Sequence, residues 1–215
     1  MKKRKRTQTT PQVLRYLAMN EPSSKWQIAK ALRKSYSNIH ATIQLLKKAG
    51  YIEIVKCKPS EKNPKIKVEY YGLTLAGLIV YLMNNKDALK QIDEIAEVHD
   101  DKLLVFKKWQ LFKAAGLREK MLSYIEDAIK AELMFIIVGR SLGLKVKTKR
   151  EKLQEGFDMA VLYTPLFGEK EEARSLIKIY KQDEELSSFI DKCFQMDFKE
   201  YERTLQVKKL WESMR

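Results

Sequence analysis

The stretch between Arg33 and Gly50 carries the side chains best suited to contacting bases. Ile39, Ile43 and Leu46 recur at helical spacing, which predicts a helix with one buried side. The opposite side would present Tyr36, Ser37, Asn38, His40, Ala41 and Gln44. Such polar groups exchange hydrogen bonds with base edges, and a small apolar side chain contacts the thymine methyl group. We therefore predict a base-reading surface on this helix.

Lysines around this helix would serve a second purpose, because phosphate contacts position a protein on nucleic acid whereas base contacts give specificity. Lys34 precedes the helix, and Lys47 and Lys48 lie at its far end. The segment that follows adds Lys56, Lys58, Lys62, Lys65 and Lys67. No glutamate occurs between Arg33 and Ile52, so no glutamate there repels a phosphate.

Positive charge is concentrated in the first part of the chain. Residues 1–83 contain 17 Lys and Arg against 4 Asp and Glu, a net charge of +13, whereas residues 84–215 contain 25 against 24, a net charge of +1. A local excess attracts a polyanion, and DNA is the best candidate. The run Lys2, Lys3, Arg4, Lys5 and Arg6 is either a solubilising tail or an arm that binds phosphates or the minor groove.

Three helices are predicted before residue 51. The first begins at Thr10–Pro11, and the second opens with Ser24 and Gln27 at capping-box spacing. Trp26 is predicted to pack against the first helix, with DNA-backbone contact as the alternative. Ser35 is predicted to cap the third helix, and a glycine at position 50 ends it.

A lysine-rich β-hairpin is predicted after the third helix. Residues 51–57 and 66–70 have the composition and alternation of strands, and the segment between them is rich in turn-forming residues. Such a hairpin would lie along the DNA backbone or in the minor groove. Lysines on edge strands also prevent aggregation, so this charge has a structural explanation too.

The order of three helices and a hairpin resembles the winged helix-turn-helix domain of prokaryotic regulators of the broad MarR and PadR-like group. The resemblance lies in residues 28–32, 35–43 and 46–52, and in the closing step from Tyr71 to Gly77, which has the form Y-x-L-T-x-x-G. It covers about residues 7–83. It implies DNA binding and, usually, a dimer.

The rest of the chain reads as helices. A helix from about Thr74 to Met83 is apolar on all sides and must be covered all round. Further helices are predicted to the end, including about 148–163, 169–181 and 183–214. The predicted fold class is therefore mainly α: a basic arm over residues 1–9, the winged domain over 10–83, and an all-α dimerisation or effector domain over 84–215. Its larger side chains would form either core and dimer interface or a hydrophobic effector pocket: Trp109, Phe112, Met134, Phe135, Phe157, Met159, Tyr163 and Phe167.

Enzymatic chemistry is the least favoured interpretation. The glycine-containing stretch 139–143 lacks the Gly-Lys-Ser/Thr ending of a phosphate loop. An acidic group reads as a solvated helix end rather than a metal site: Glu94, Glu97, His99, Asp100 and Asp101. Cys193 reads as core, and Cys57 as a plain hairpin residue rather than a thiolate sensor. No cofactor is indicated.

The sequence thus predicts a sequence-specific transcription regulator that binds double-stranded DNA as a homodimer. The alternatives are a replication-initiation or chromosome-architecture protein and a winged-helix adaptor between proteins. No stretch reaches the roughly 20 apolar residues of a membrane span. We expect a cytoplasmic, nucleoid-associated protein, or a nuclear one in a eukaryote.

Overall fold

The structure, a computed structural model, describes residues 9–60, 63–85, 87–141, 150–196 and 202–214. The chain forms two compact units, of which the first ends at His99 and the second begins at Asp100. The sequence analysis placed this boundary between residues 83 and 84. The boundary lies later because the residues after position 83 still belong to the first unit. A 3₁₀ helix, Ala88–Gln91, packs on the preceding helix, Leu75–Asn84. Helix α5, Ile92–Val98, follows, with Ile92 and Ile95 buried.

The first unit begins with three helices whose ends follow local capping rules. Its helices are α1, Thr9–Ala18; α2, Lys25–Ala31; and α3, Tyr36–Lys48. The predicted capping box is confirmed, because the Ser24 hydroxyl accepts from the Gln27 amide at 3.3 Å and the Gln27 side chain accepts from the Ser24 amide at 2.8 Å. The Ser35 hydroxyl caps α3 as predicted, and Gly50 follows that helix with a φ of 77°, a left-handed value that favours glycine.

A three-stranded antiparallel sheet follows, with the spatial order β1-β3-β2. The predicted hairpin is present as β2, Ile52–Pro59, and β3, Lys67–Leu73. The third strand, β1, Ser23–Ser24, pairs with Tyr70 and Tyr71 and was not predicted. A bulge between Ile54 and Lys56 changes the register of the hairpin near its base.

Helix α4, Leu75–Asn84, begins against Tyr51, which follows the end of α3. The Thr74 amide donates to the Tyr51 carbonyl at 3.0 Å, and the Thr74 hydroxyl donates to the Gly50 carbonyl at 2.7 Å. The Gly77 amide donates to the same hydroxyl at 3.1 Å. A Cβ atom on Gly77 would stand only 1.9 Å from the Tyr51 carbonyl oxygen, so glycine alone permits this approach.

The core of the first unit holds α3 in place through its predicted apolar stripe. Ile39 and Ile43 are completely buried, and Leu46 is nearly so. Helix α3 packs against α1 and α2. Buried residues of the other helices belong to the same core: Val13, Leu17, Ile28, Leu75 and Leu78. The solvent-facing side of α3 is thereby fixed.

The described residues of the second unit form helices joined by short turns, and no strand occurs among them. Its α-helices are α6, Leu104–Lys107; α7, Trp109–Ala114; α8, Arg118–Ser141; α9, Arg150–Asp158; α10, Lys170–Tyr180; α11, Glu184–Met196; and α12, Glu202–Ser213. A π-helical turn, Met159–Tyr163, and a 3₁₀ helix, Thr164–Phe167, link α9 to α10. The predicted fold class is confirmed: a mainly α chain with an N-terminal helix–strand region and a helical C-terminal part.

One buried carboxylate holds two elements of the second unit together. Asp158, at the end of α9, is 3% exposed and accepts from the amides of Leu104 and Val105 at 3.1 and 3.3 Å. It thereby satisfies two amides at the start of α6. Burial raises the pKa of Asp158 to about 6, although both hydrogen bonds favour the ionised form.

Asp158→Asn is expected to remove part of the dependence of stability on pH. The folded-state pKa of Asp158 lies above its ordinary value of 3.8, so its contribution to the free energy of unfolding is complete below pH 3.8 and is lost as the pH rises through about 6. The loss amounts to about 1.4 kcal/mol per pH unit at most. Urea unfolding at pH 4.5, 5.5 and 6.5 should show a shallower fall in the variant, and parallel curves would contradict this role.

Candidate nucleic-acid interface

The exposed side of α3 carries the side chains predicted to read bases. Five of the six are exposed and Ala41 is half-buried, so none lies in the hydrophobic interior: Tyr36, Ser37, Asn38, His40, Ala41 and Gln44. The rings of Tyr36 and His40 stack, with centroids 6.3 Å apart. At 100° per residue, Ser37 and Ala41 lie near the middle of this face, with His40 towards one edge and Asn38 towards the other.

The predicted phosphate-contacting lysines fall into two groups. Lys34, Lys47 and Lys48 flank α3, Lys34 half-buried and the other two exposed. The hairpin group consists of Lys56, which is half-buried, and the exposed Lys58, Lys65 and Lys67. Lys62 and the basic run Lys2, Lys3, Arg4, Lys5 and Arg6 lie outside the described residues.

The hairpin lysines do not share one face of the sheet. Lys56 and Lys58 pair with Tyr70 and Val68, so these side chains project to the same side. Their ammonium groups lie 5.4 and 5.9 Å from the centroid of the Tyr70 ring, within cation–π range. Lys67 and the buried Tyr71 are four residues apart on β3, so their side chains project to the same side of the sheet. That side is opposite to the one that carries Lys56 and Lys58. The sheet thus divides these lysines between its two sides.

A carboxylate between α2 and the sheet was missed by the sequence analysis. Glu69 accepts a hydrogen bond from the Tyr71 hydroxyl, and its carboxylate lies 3.6 Å from the Lys25 ammonium. The Tyr71 hydrogen bond, with the charges of Lys25 and Lys47, lowers the pKa of Glu69. Glu69 is therefore ionised at neutral pH, and its charge is compensated by two lysines.

The predicted position of Trp26 was wrong. Its side chain is 63% exposed and does not pack in the core against α1. Ile28 and Ala29 take the buried positions of α2, and Trp26 lies about 200° from Ile28 around the helix. The Lys30 ammonium lies 5.3 Å from the centroid of the Trp26 ring. Trp26 therefore belongs to the solvent-facing surface beside α3.

Leu45 is an exposed residue of α3 that the sequence analysis did not assign to the site. It is 62% exposed, whereas its neighbour Leu46 is 3% exposed. Adjacent leucines on a helix point about 100° apart, so only one of them faces the core. The spacing of Ile39, Ile43 and Leu46 already indicated which leucine would be buried.

The segment containing α1 to β3 is the part of the chain that resembles a known family. Residues 7–74 match the HVO_A0114 family. This match ends at Thr74, the N-cap of α4, and includes the three helices and the hairpin. The family is described by that designation alone. No curated protein matches the chain.

The other side chains that the sequence analysis considered for metal binding or thiol chemistry do not come together in one site. Glu94, Glu97, Asp100 and Asp101 are exposed, whereas His99 is buried. Among the described residues, no group of three or more His, Cys, Asp or Glu side chains is placed to hold a metal ion. Neither cysteine forms a disulfide within the described residues, and Cys57 is exposed whereas Cys193 is buried.

The larger apolar side chains of the second unit form much of its core. Trp109, Phe112, Phe157 and Tyr163 are all buried. Met134 and Phe135 fall where side chains lie outside the described part, and Met159 and Phe167 are half-buried. Within the described ranges, no helix is both long and apolar enough to cross a bilayer.

Proposed function

We propose that the chain is a sequence-specific regulator that binds double-stranded DNA through a winged helix-turn-helix formed by α1 to β3. The observation that carries this proposal is the exposed face of α3, where uncharged hydrogen-bonding groups lie between lysines and no acidic residue occurs. An α-helix fits the major groove of B-DNA, where each base pair presents a distinct pattern of donors and acceptors.

The hairpin and the turn before α3 supply the contacts to the backbone. Lys34, Lys47 and Lys48 contact phosphates on either side of the groove that α3 enters. Lys65 and Lys67 extend this contact along the hairpin. The protein acts as a homodimer, so the two reading helices meet half-sites roughly 34 Å apart, or a multiple of that distance.

Binding of the full chain to duplex DNA tests this proposal. Fluorescence anisotropy with random-sequence duplexes should give affinity that falls with salt, with a logarithmic slope of about 3 to 6 for each bound protomer, because each phosphate contact releases about 0.9 counterion. Selection from a random duplex pool should then yield a symmetric repeat bound more tightly than random DNA.

Three substitutions on α3 distinguish sequence-specific base contacts from non-specific electrostatic binding. Asn38→Ala, His40→Ala and Gln44→Ala together should lower the affinity for the selected repeat most of the way to that for random DNA, while leaving the latter unchanged. Absence of any salt-dependent binding would refute the proposal. Binding without a preferred sequence would instead favour a chromosome-architecture protein.

A further inference from the structure

An apolar strip, formed by Ala41 and Leu45, runs along the Asn38 side of the otherwise polar face of α3. Ala41 and Leu45 are one helical turn apart, so their side chains are neighbours on the surface. Leu45 is 62% exposed, although removing its aliphatic side chain from water would lower the free energy. The strip therefore presents apolar surface where the rest of the face presents hydrogen-bonding groups.

The strip borders a hollow between α3 and the start of α1. This hollow has a volume of about 400 Å³, and its lining includes Thr9, Thr10, Asn38, Ala41, Leu45 and Lys48. The hollow is therefore open towards the side of α3 that carries both an amide and a lysine. A ligand there meets an apolar wall, hydrogen-bonding groups and a positive charge together.

Duplex DNA offers one apolar group at the base edges of its major groove, the C5 methyl of thymine. Lys48, which lies beside the strip and lines the hollow, and the lack of any acidic residue on α3 complement a polyanion. An apolar side chain of a protein partner would also cover Leu45, but that partner would have to match the same positive charge. Charge complementarity therefore favours DNA as the occupant.

We propose that Ala41 and Leu45 form the contact site for a thymine methyl group. This inference rests on the proposed function and deepens it, because it assigns a base preference to two residues. Asn38 lies beside the strip, and an amide side chain pairs with the N6 and N7 atoms of adenine. The recognised half-site therefore contains a thymine next to the base pair that Asn38 contacts.

Replacing thymine by deoxyuridine tests the inference directly, because deoxyuridine pairs as thymine does but lacks the methyl group. Each thymine of the selected duplex is replaced in turn, and the affinity of the full chain is measured by anisotropy. At one thymine per half-site, we expect a 3- to 5-fold loss, the effect of one buried methyl group. Leu45→Ala should lose a similar factor on the thymine duplex and show no further loss with deoxyuridine.

Leu205→Ala provides the matched control, because Leu205 is an exposed leucine on α12, with 50% of its surface accessible. This variant should keep the full response to deoxyuridine. Equal deoxyuridine effects in wild type and Leu45→Ala, or no effect at any thymine, would overturn the inference while DNA binding stood. A change in sedimentation of Leu45→Ala would also overturn it, since Leu45 would then contact a second copy. Absence of all DNA binding would overturn the proposed function as well.

Discussion

Replacing Lys34, Lys47 and Lys48 together by alanine is expected to weaken binding to every duplex, whatever its sequence. Each lost phosphate contact removes about 0.9 released counterion, so the logarithmic salt slope should fall by about 2.7 for each bound protomer. At ~0.1 M salt the same argument gives a loss of affinity of roughly 100-fold or more. Anisotropy titrations over a range of salt concentrations measure both quantities.

The matched control removes the same charge elsewhere in the chain. Lys170, Lys178 and Lys209 are exposed lysines of the second unit, and replacing them by alanine lowers the net charge by the same amount. This variant should keep nearly all of its affinity and its salt slope. If the two triple variants lose affinity equally, DNA responds to the net charge of the protein and α3 has no privileged role.

The ends and the exposed face of the helices illustrate what can be predicted from local sequence. The ends of α2 and α3 were predictable, because Ser24, Gln27 and Ser35 act through hydrogen bonds within three residues of themselves. The exposed face of α3 followed from the spacing of its buried residues. These features depend on helical geometry alone and require no knowledge of the remaining chain.

The sheet depends on contacts between distant residues, and the sequence was less informative there. Strand β1 has only two residues, so no alternation could reveal it, and it exists because Ser23 and Ser24 pair with residues almost fifty positions later. The bulge near Val55 decides which lysines share a face, because a shift of one residue reverses every later side chain.

The candidate site shows the same division. Exposure of Asn38, His40 and Gln44 could be predicted from the helical period. The link from Glu69 to Lys25 and Tyr71 could not, because it joins a helix to a strand more than forty residues away. The prediction for Trp26 was wrong for a related reason: contact with α1 depends on how two helices pack, which the residue spacing within α2 does not define.

Gly77→Ala is expected to have the largest effect on stability. The added Cβ atom would lie 1.9 Å from the Tyr51 carbonyl oxygen and 2.8 Å from its carbonyl carbon, and both atoms belong to the backbone. No side-chain rotation relieves such a clash, so α4 must move away from the end of α3. We expect a loss of at least about 3 kcal/mol in the free energy of unfolding, measured by urea denaturation.

The same displacement would reach the proposed DNA-binding surface. Tyr51 connects the end of α3 to β2, and its carbonyl accepts from the Thr74 amide, which begins the cap of α4. Moving α4 therefore disturbs the junction between the reading helix and the hairpin, and Gly77→Ala should also lose DNA affinity under conditions where it remains partly folded.

Gly156→Ala is the control for this prediction, because Gly156 also lies in a helix and no atom stands within 4 Å of the added Cβ position. Alanine is favoured over glycine inside a helix by about 0.5 to 1 kcal/mol, so Gly156→Ala should raise stability slightly. Opposite signs for the two substitutions would establish that contact with Tyr51, and not helix propensity, requires glycine at position 77. A Gly77→Ala protein as stable as the wild type would show that α4 does not dock on the Tyr51 carbonyl.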